Sequence, residues 1–286
     1  MLGLGELLWD VFPDGKRPGG APANFAFHAA QLGHDASVIS RVGDDAPGRE
    51  LLDHLRRHGI STDFIQIDPA RPTGAVSVTV APDGSPAFTV VENEAWDYLA
   101  DEPLLHQAVA SADVVSFGTL TQRGEKSRET VKSLLNSAKN TVLFDINLRK
   151  NFWSKKLVED GLTRATIAKL NQREEQMLKQ LGLGKGDRVD WCRSILLEFR
   201  LEMVCVTRGK DGCLLVGTEG HFEHPGYPVE VADTVGCGDA FAAAVAHCYL
   251  RGHPLDKTAE FANRVGSFVA SRPGATPPLP KALRLQ

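Results

Sequence analysis

The nine residues DTVGCGDAF, Asp233 to Phe241, run straight into the apolar stretch AAAVAHCYL, Ala242 to Leu250. Two acids and two glycines therefore stand at the mouth of a strongly helical segment. Glycines there let a ligand approach the backbone, and the first N–H groups of a helix lack intrahelical partners and attract anions. An acid in the same turn either caps the helix or acts on whatever the anion site holds.

Working outward, short apolar strands alternate with amphipathic helical stretches. MLGLGELL (1–8) begins as a strand, and PANFAFHAAQLG (22–33) follows as a helix closed by Gly33. ASVISRVG (36–43) is the next strand and APGRELLDHLRRHG (46–59) the next helix, with Leu51, Leu52 and Leu55 on one face. VVSFG, EKSRETVKSLLNSA, VLFDI, IAKLN, REEQMLKQLG and MVCVT continue the pattern. Strands of four to six apolar residues between helices predict a mainly parallel sheet covered on both faces, with ligands at the carboxyl ends of its strands. One region breaks the rhythm. DFIQIDPARPTGAVSVTVAPDGSPAFTVVE, Asp63 to Glu92, has β-type alternation, a DG turn and no helix, which predicts a hairpin or meander set against the main sheet. The polar hook DVFPDGKRPGG (10–20) is expected to join it, as a lid or as an edge decoration.

The chain has 286 residues, a net charge of -4 and 42% hydrophobic composition, enough for a substantial core. Such a mild negative charge gives no reason to expect nucleic acid or a membrane surface as a partner. No apolar run is long enough to span a bilayer, and no secretory signal opens the sequence. Five cysteines, none in a CxxC pair, read as free thiols in a reducing compartment, so a cytoplasmic location is expected. The chain opens almost inside its first strand, and a natural start upstream of Met1 is an expectation.

Several familiar motifs are absent. No GxxxxGK[ST] phosphate loop occurs, GLGELL lacks the third glycine of a dinucleotide fingerprint, and no GxSxG supplies a nucleophile elbow. GGAPANFA (19–26) is more informative: two glycines precede a proline in a first helical turn, with Asn24 close behind. It is either a tight turn with a capping Asn or a backbone that hugs a small polar ligand, with Asp10 at the end of the first strand facing the same place. DINLR (145–149) and LNQRE (170–174) each end a buried strand with polar groups and open onto the carboxyl edge. Asn171 and Glu174 have the spacing of a capping box, and the same spacing can place an amide and a carboxylate beside a hydrated magnesium ion.

DTVGCGDAF, GGAPAN, DINLR, LNQRE and VTRGKDG (206–212), in the chain positions they hold, resemble the ribokinase-like (PfkB) sugar kinases nearly end to end. DTVGCGD against the family's D-T-x-G-A-G-D is the strongest match, supported by RVGDDAPGRELL. GELLWDVFPDG, GGAPANFA, ENEAWDYL and FDINLRKNFW resemble bacterial fructokinases most. The resemblance implies one doubly wound α/β domain over 1–286, with a discontinuous β lid from about 10–18 and 61–95. It implies Asp239 as catalytic base and the amides of Gly236, Cys237 and Gly238 as an anion hole. Asp10, Gly20 and Asn24 would hold sugar hydroxyls, and Arg149 would reach toward phosphate or substrate. Asn171 and Glu174 would order magnesium through water beside ATP, with Thr207, Gly209 and Asn263 lining the nucleotide site. Asp233, Val235 and the turn Arg272 to Ala275, Gly274 included, resemble a monovalent-cation loop, for which potassium is the expected ion.

Cys237 replaces the family's usual Ala, and a thiol at a helix N-terminus is expected to have a lowered pKa and to react readily. Ala21 and Pro22 stand where kinases of phosphorylated sugars often carry Lys, which points to an unphosphorylated acceptor. D-fructose, phosphorylated at its 6-hydroxyl, is the expected substrate, with 2-keto-3-deoxygluconate as the rival. A sugar- or nucleotide-binding regulator without catalysis is the rival from another class, and a nicotinamide-dependent dehydrogenase the third. The expected partners are the sugar and ATP, with a homodimer through the lid strands.

Overall fold

Fourteen strands and ten α-helices make up residues 1–80 and 86–284, the part of the chain described by the computed structural model. The strands are β1 (Leu2–Leu4), β2 (Leu8–Phe12), β3 (Gly15–Gly19), β4 (Ala36–Gly43), β5 (Ile60–Ser61), β6 (Ile65–Asp68) and β7 (Gly74–Val80). They continue as β8 (Pro86–Val90), β9 (Val114–Gly118), β10 (Thr141–Asp145), β11 (Ile167–Asn171), β12 (Met203–Thr207), β13 (Cys213–Gly217) and β14 (Gly220–His224). The helices begin with α1 (Ala21–Gln31), α2 (Ala46–Arg57), α3 (Pro103–Ser111), α4 (Glu125–Leu135) and α5 (Lys155–Leu162). The remainder are α6 (Gln172–Gln180), α7 (Arg188–Phe199), α8 (Cys237–Leu250), α9 (Leu255–Ala270) and α10 (Lys281–Arg284).

The large sheet has the order β14-β13-β12-β11-β10-β9-β1-β4-β5, with β6 also on β4. Its pairings are parallel from β12 through β5, and β13 and β14 are antiparallel additions at one edge. Side chains alternate between two cores, as the two-residue period of a strand requires. Leu143, Ile167 and Cys205 enter the core under α1, α2, α8 and α9. Their neighbours Phe144, Ala168 and Val204 enter the other core, under α3, α4, α5, α6 and α7. This is the mainly parallel sheet covered on both faces that the alternation of elements predicts, in the doubly wound α/β form that the resemblance implies.

Helix α8 is apolar all round, and every residue from Ala240 to Cys248 is buried, the pattern of a helix enclosed on all sides. Its alanines let it sit close to both α1 and α9, so its N-terminus is fixed from two directions.

A second, four-stranded sheet has the order β3-β2-β7-β8. It is built from the polar hook and from the part of the helix-free region that follows Gly74. Two expectations are corrected here. Residues 65–68 form β6, a parallel partner of β4 in the large sheet, so the stretch from 61 to 73 does not belong to the small one. Asp10 does not end the first strand. The chain leaves β1 at Gly5, where φ is +152° and an added Cβ would lie 2.4 Å from Thr121 Oγ1, and Asp10 lies in β2 of the small sheet. The DG turn at Asp83 and Gly84 lies outside the described residues.

Candidate active site

The strand ends of the large sheet and the N-termini of α1 and α8 converge at one edge. Gly20 is the N-cap of α1 with φ 107°, and a Cβ there would stand 2.2 Å from the Glu6 carbonyl oxygen. Only glycine fits both the dihedral and the space. Glu6, buried beneath this turn, accepts hydrogen bonds from the Ala21 N–H at 3.3 Å and the Thr121 hydroxyl at 2.5 Å. One N–H of the first turn of α1 is thereby taken by Glu6, while the N-cap residue itself supplies no side-chain cap. Asn24 sits one turn into α1 and is not the cap. Its Nδ2 donates to Asp239 Oδ2 at 2.8 Å.

Asp239 lies in the first turn of α8. The N-cap, Gly236, has φ 76°, and a Cβ on it would meet the Ala275 carbonyl oxygen at 2.4 Å. The N–H groups of Cys237 and Gly238 therefore sit in the unpaired first turn, where a helix binds anions. Asp239 as a residue is half-buried, but its carboxyl is enclosed, and burial raises its pKa. Lys169, the Asn24 bond and Arg149 oppose that rise. Asp10 is pushed up to about 6 by burial and by the charge of Asp239, with Arg149 acting the other way. Three residues distant in sequence thus act on one another electrostatically: Asp10 in the small sheet, Arg149 after β10 and Asp239 on α8. Arg149 is exposed, and its guanidinium makes no hydrogen bond among the described residues. Its loop holds Asn147 and Lys150 at φ 44° and 48°, the left-handed region that costs an ordinary residue about 1–2 kcal/mol. Strain of this kind collects at functional sites.

Asn171 and Glu174 form the capping box read from their spacing. Asn171 Oδ1 accepts from the N–H groups of Arg173 and Glu174 at 2.9 and 3.0 Å, and Glu174 Oε2 accepts from the Asn171 N–H at 2.8 Å. Glu174 Oε1 accepts from the Leu148 N–H at 2.8 Å, which ties the Arg149 loop to α6. Both carboxylate oxygens therefore already have backbone partners, so a metal ion fits here through water rather than by direct ligation.

Asp233 joins the two segments of the predicted cation loop. Its Oδ1 accepts from the Val235 N–H at 3.0 Å and its Oδ2 from the Gly274 N–H at 3.1 Å. Val235 and Gly274 are brought together in this way, and Arg272 stands two residues before Gly274. His28, buried on α1, braces the same turn through Nε2 and the Ala275 carbonyl at 3.0 Å. Burial pushes its pKa down to about 4, so the ring is neutral at neutral pH and donates through Nε2.

Thr207 ends β12, and Gly209 opens the following 3₁₀ turn with φ 60°. Asn263 is used differently: its Nδ2 donates to Ala259 O at 2.7 Å and to Cys213 Sγ at 3.0 Å. It packs α9 onto β13. The lowered pKa expected for the Cys237 thiol is corrected. Burial pushes this thiol up, outweighing the neighbouring Lys169, and Sγ donates to the Thr234 carbonyl oxygen at 2.9 Å. The helix-terminus effect is a local one, and enclosure by the fold overrides it.

Sequence reasoning passed over Glu6, His28 and, above all, the ion pair of Asp145 and Lys169. Lys169 Nζ donates to both carboxylate oxygens of Asp145 at 3.1 and 2.9 Å. A signal existed. Within the apolar strands VLFDI and IAKLN each charged residue has the parity of Leu143 and Ile167, the residues that face α8.

A helix terminus open to anions, with a carboxylate in its first turn and Asp10 of the small sheet in electrostatic reach of it, suits phosphoryl transfer. The chain belongs to the pfkB family of carbohydrate kinases, whose family model it matches over residues 5–282. It is a sugar kinase. A sugar kinase of Pyrococcus horikoshii is 32% identical over 95% of this chain and 90% of its own. The ATP complex of that protein superimposes with a TM-score of 0.83 over 96% of this chain and 93% of that one, at 30% identity. The fructokinase of Klebsiella pneumoniae is 30% identical over 97% of this chain and 95% of its own. A Vibrio cholerae fructokinase, solved with fructose, ADP and calcium, has a TM-score of 0.83 at 25% identity and covers 99% and 96% of the two chains. Among the described residues no helix is long and apolar enough to cross a membrane.

Proposed function

We propose that the protein phosphorylates D-fructose at its 6-hydroxyl, using MgATP. The observation that carries this reading is the bond from Asn24 to Asp239, with Asp10 in electrostatic reach: a proton acceptor set among groups that bind hydroxyls. Two neighbouring carboxylates, Asp10 and Asp239, at the sugar side favour a neutral polyol over a phosphosugar. Full-length similarity to fructokinases supports fructose in particular.

In this reading Asp10, Gly20 and Asn24 hold the sugar. Asp239 takes the proton from the attacking hydroxyl while the oxygen–phosphorus bond forms and the bond to ADP breaks. A carboxylate with a pKa raised by burial is a better proton acceptor than an ordinary Asp at ~3.9. Such base catalysis contributes roughly 10²–10⁴-fold. The amides of Gly236, Cys237 and Gly238 face the anionic charge of the transferring group, and Arg149 supports it from the opposite loop. Thr207, Gly209 and Asn263 line the nucleotide side. Asn171 and Glu174 would be the residues that hold magnesium through water, and the ion would supply charge neutralisation beside ATP when bound. Asp233, Val235, Arg272 and Gly274 hold a monovalent cation, potassium by preference. The small sheet acts as a lid over the sugar and as the contact of a homodimer. A cytoplasmic location accords with the ATP requirement and the five free thiols.

A coupled ADP-release assay with MgATP against fructose, ribose, glucose, 2-keto-3-deoxygluconate and fructose 6-phosphate tests the assignment. Selective turnover of fructose is expected. Preference for the keto acid would move the assignment to the rival kinase, with Arg149 meeting its carboxylate.

A further inference from the structure

The ion pair of Asp145 and Lys169 has no part in the steps above, although it lies beneath the helix terminus where they occur. The two residues are direct partners in the β10–β11 register. By the two-residue period both point to the α1 and α8 side of the sheet. Their side chains are only 8% and 9% exposed. Gly238, the second glycine of GCG, lies directly over the ammonium, since a Cβ there would stand 2.9 Å from Lys169 Nζ. Lys169 also feels Glu174 and Asp239. Burial works against its charge, but Asp145, Glu174 and Asp239 together hold its pKa at about 12. One ammonium thus serves three enclosed carboxylates.

Packing does not explain this arrangement. A buried ion pair is commonly no more stable than apolar residues of the same volume, and the strand neighbours Phe144, Ala168 and Leu170 are apolar. The pair is placed where a fixed positive charge acts on the anion-binding turn and on the proton acceptor.

We propose that Lys169 is a positioning residue for phosphoryl transfer: a buried ammonium, braced by Asp145, that supports the Gly238 turn and keeps Asp239 available as a carboxylate. The inference rests on the sugar-kinase mechanism proposed above. Lys169 need not touch the sugar, so its removal acts on turnover rather than on sugar binding.

The test compares wild type, Lys169→Met and the double variant Asp145→Asn/Lys169→Met, measuring kcat, the KM for sugar and thermal stability. Lys169→Met leaves Asp145 buried and unpaired, so both stability and kcat fall. The double variant removes both charges and regains stability. Its kcat stays about 10²-fold or more below wild type, while the sugar KM moves by less than about threefold. A second double variant, Asp145→Asn/Lys169→Gln, replaces the ion pair with an uncharged polar pair of similar size and should behave alike. A stable double variant with wild-type kcat would overturn the inference, as would a loss carried wholly by KM. Absence of sugar turnover by the wild type itself would instead overturn the mechanism and, with it, this inference.

Discussion

Replacing Asn24 with Ala removes the hydrogen bond to the proton acceptor together with a group proposed to hold the sugar. The 2.8 Å contact from Nδ2 to Asp239 Oδ2 is charge-assisted, and bonds to charged groups contribute about 1.5–3 kcal/mol. At 1.36 kcal/mol per factor of ten, its loss lowers kcat/KM by roughly 10- to 150-fold. The direction of the pH effect follows from the groups that set the Asp239 pKa. Burial raises it, and Lys169, Asn24 and Arg149 restrain it. Without Asn24 the carboxyl protonates at higher pH, so the acidic limb of the kcat/KM profile moves up. Initial rates of ADP release, measured across the pH range in which the variant stays folded, report both quantities. A loss of rate with an unmoved acidic limb would show that Asn24 acts only on the sugar. An unchanged rate would refute the reasoning altogether.

Three further predictions concern the same edge of the sheet. Asp10, pushed up to about 6, accepts sugar hydroxyls best as a carboxylate, so the KM for sugar should rise as pH falls through about 6. That rise should vanish in Asp10→Asn; the same rise in the variant would assign the titration elsewhere. Because its folded pKa lies above the unfolded value, Asp10 contributes stability at low pH that is lost as pH rises through about 6. Gly236→Ala places a Cβ 2.4 Å from the Ala275 carbonyl oxygen in a left-handed conformation. It should cost about 1–3 kcal/mol of stability, read by denaturant unfolding, with a larger loss of kcat than Gly33→Ala, where nothing lies within reach of the added carbon. Cys237 should alkylate slowly at neutral pH because burial pushes its thiol up. Rapid alkylation, faster than a free thiol at ~8.5, would contradict the packing described for it.

Local pattern carried the α/β architecture. β4 and β9 through β12 are apolar runs bounded by turn residues, and their helices have one apolar face, so each element was readable by itself. β6 was not. IQID alternates like a hairpin strand, and nothing local says that its partner is β4 of the large sheet. The site divides in the same way. DTVGCGD and GGAPAN carry their glycines in the chain order, and the steric reason for Gly20 and Gly236 appears only with the Glu6 and Ala275 carbonyls in place. Thr121 lies 115 residues from Glu6, and His28 lies 247 from Ala275. Contacts of that range depend on tertiary packing. Lys169 was the exception, legible from strand parity and passed over because a charge in an apolar strand was counted as part of a run. For Cys237 a local rule gave the wrong sign, since it omitted the enclosure that the fold provides.

The central claim is that Asp239 accepts the proton of a sugar hydroxyl as phosphoryl leaves ATP. Its most direct test is the sugar-dependent release of ADP by wild type and by Asp239→Asn, with folding of the variant verified by its thermal transition. The account predicts turnover by the wild type and a fall of roughly 10²–10⁴-fold in kcat for the folded variant. A folded Asp239→Asn protein that turns over at the wild-type rate would contradict it.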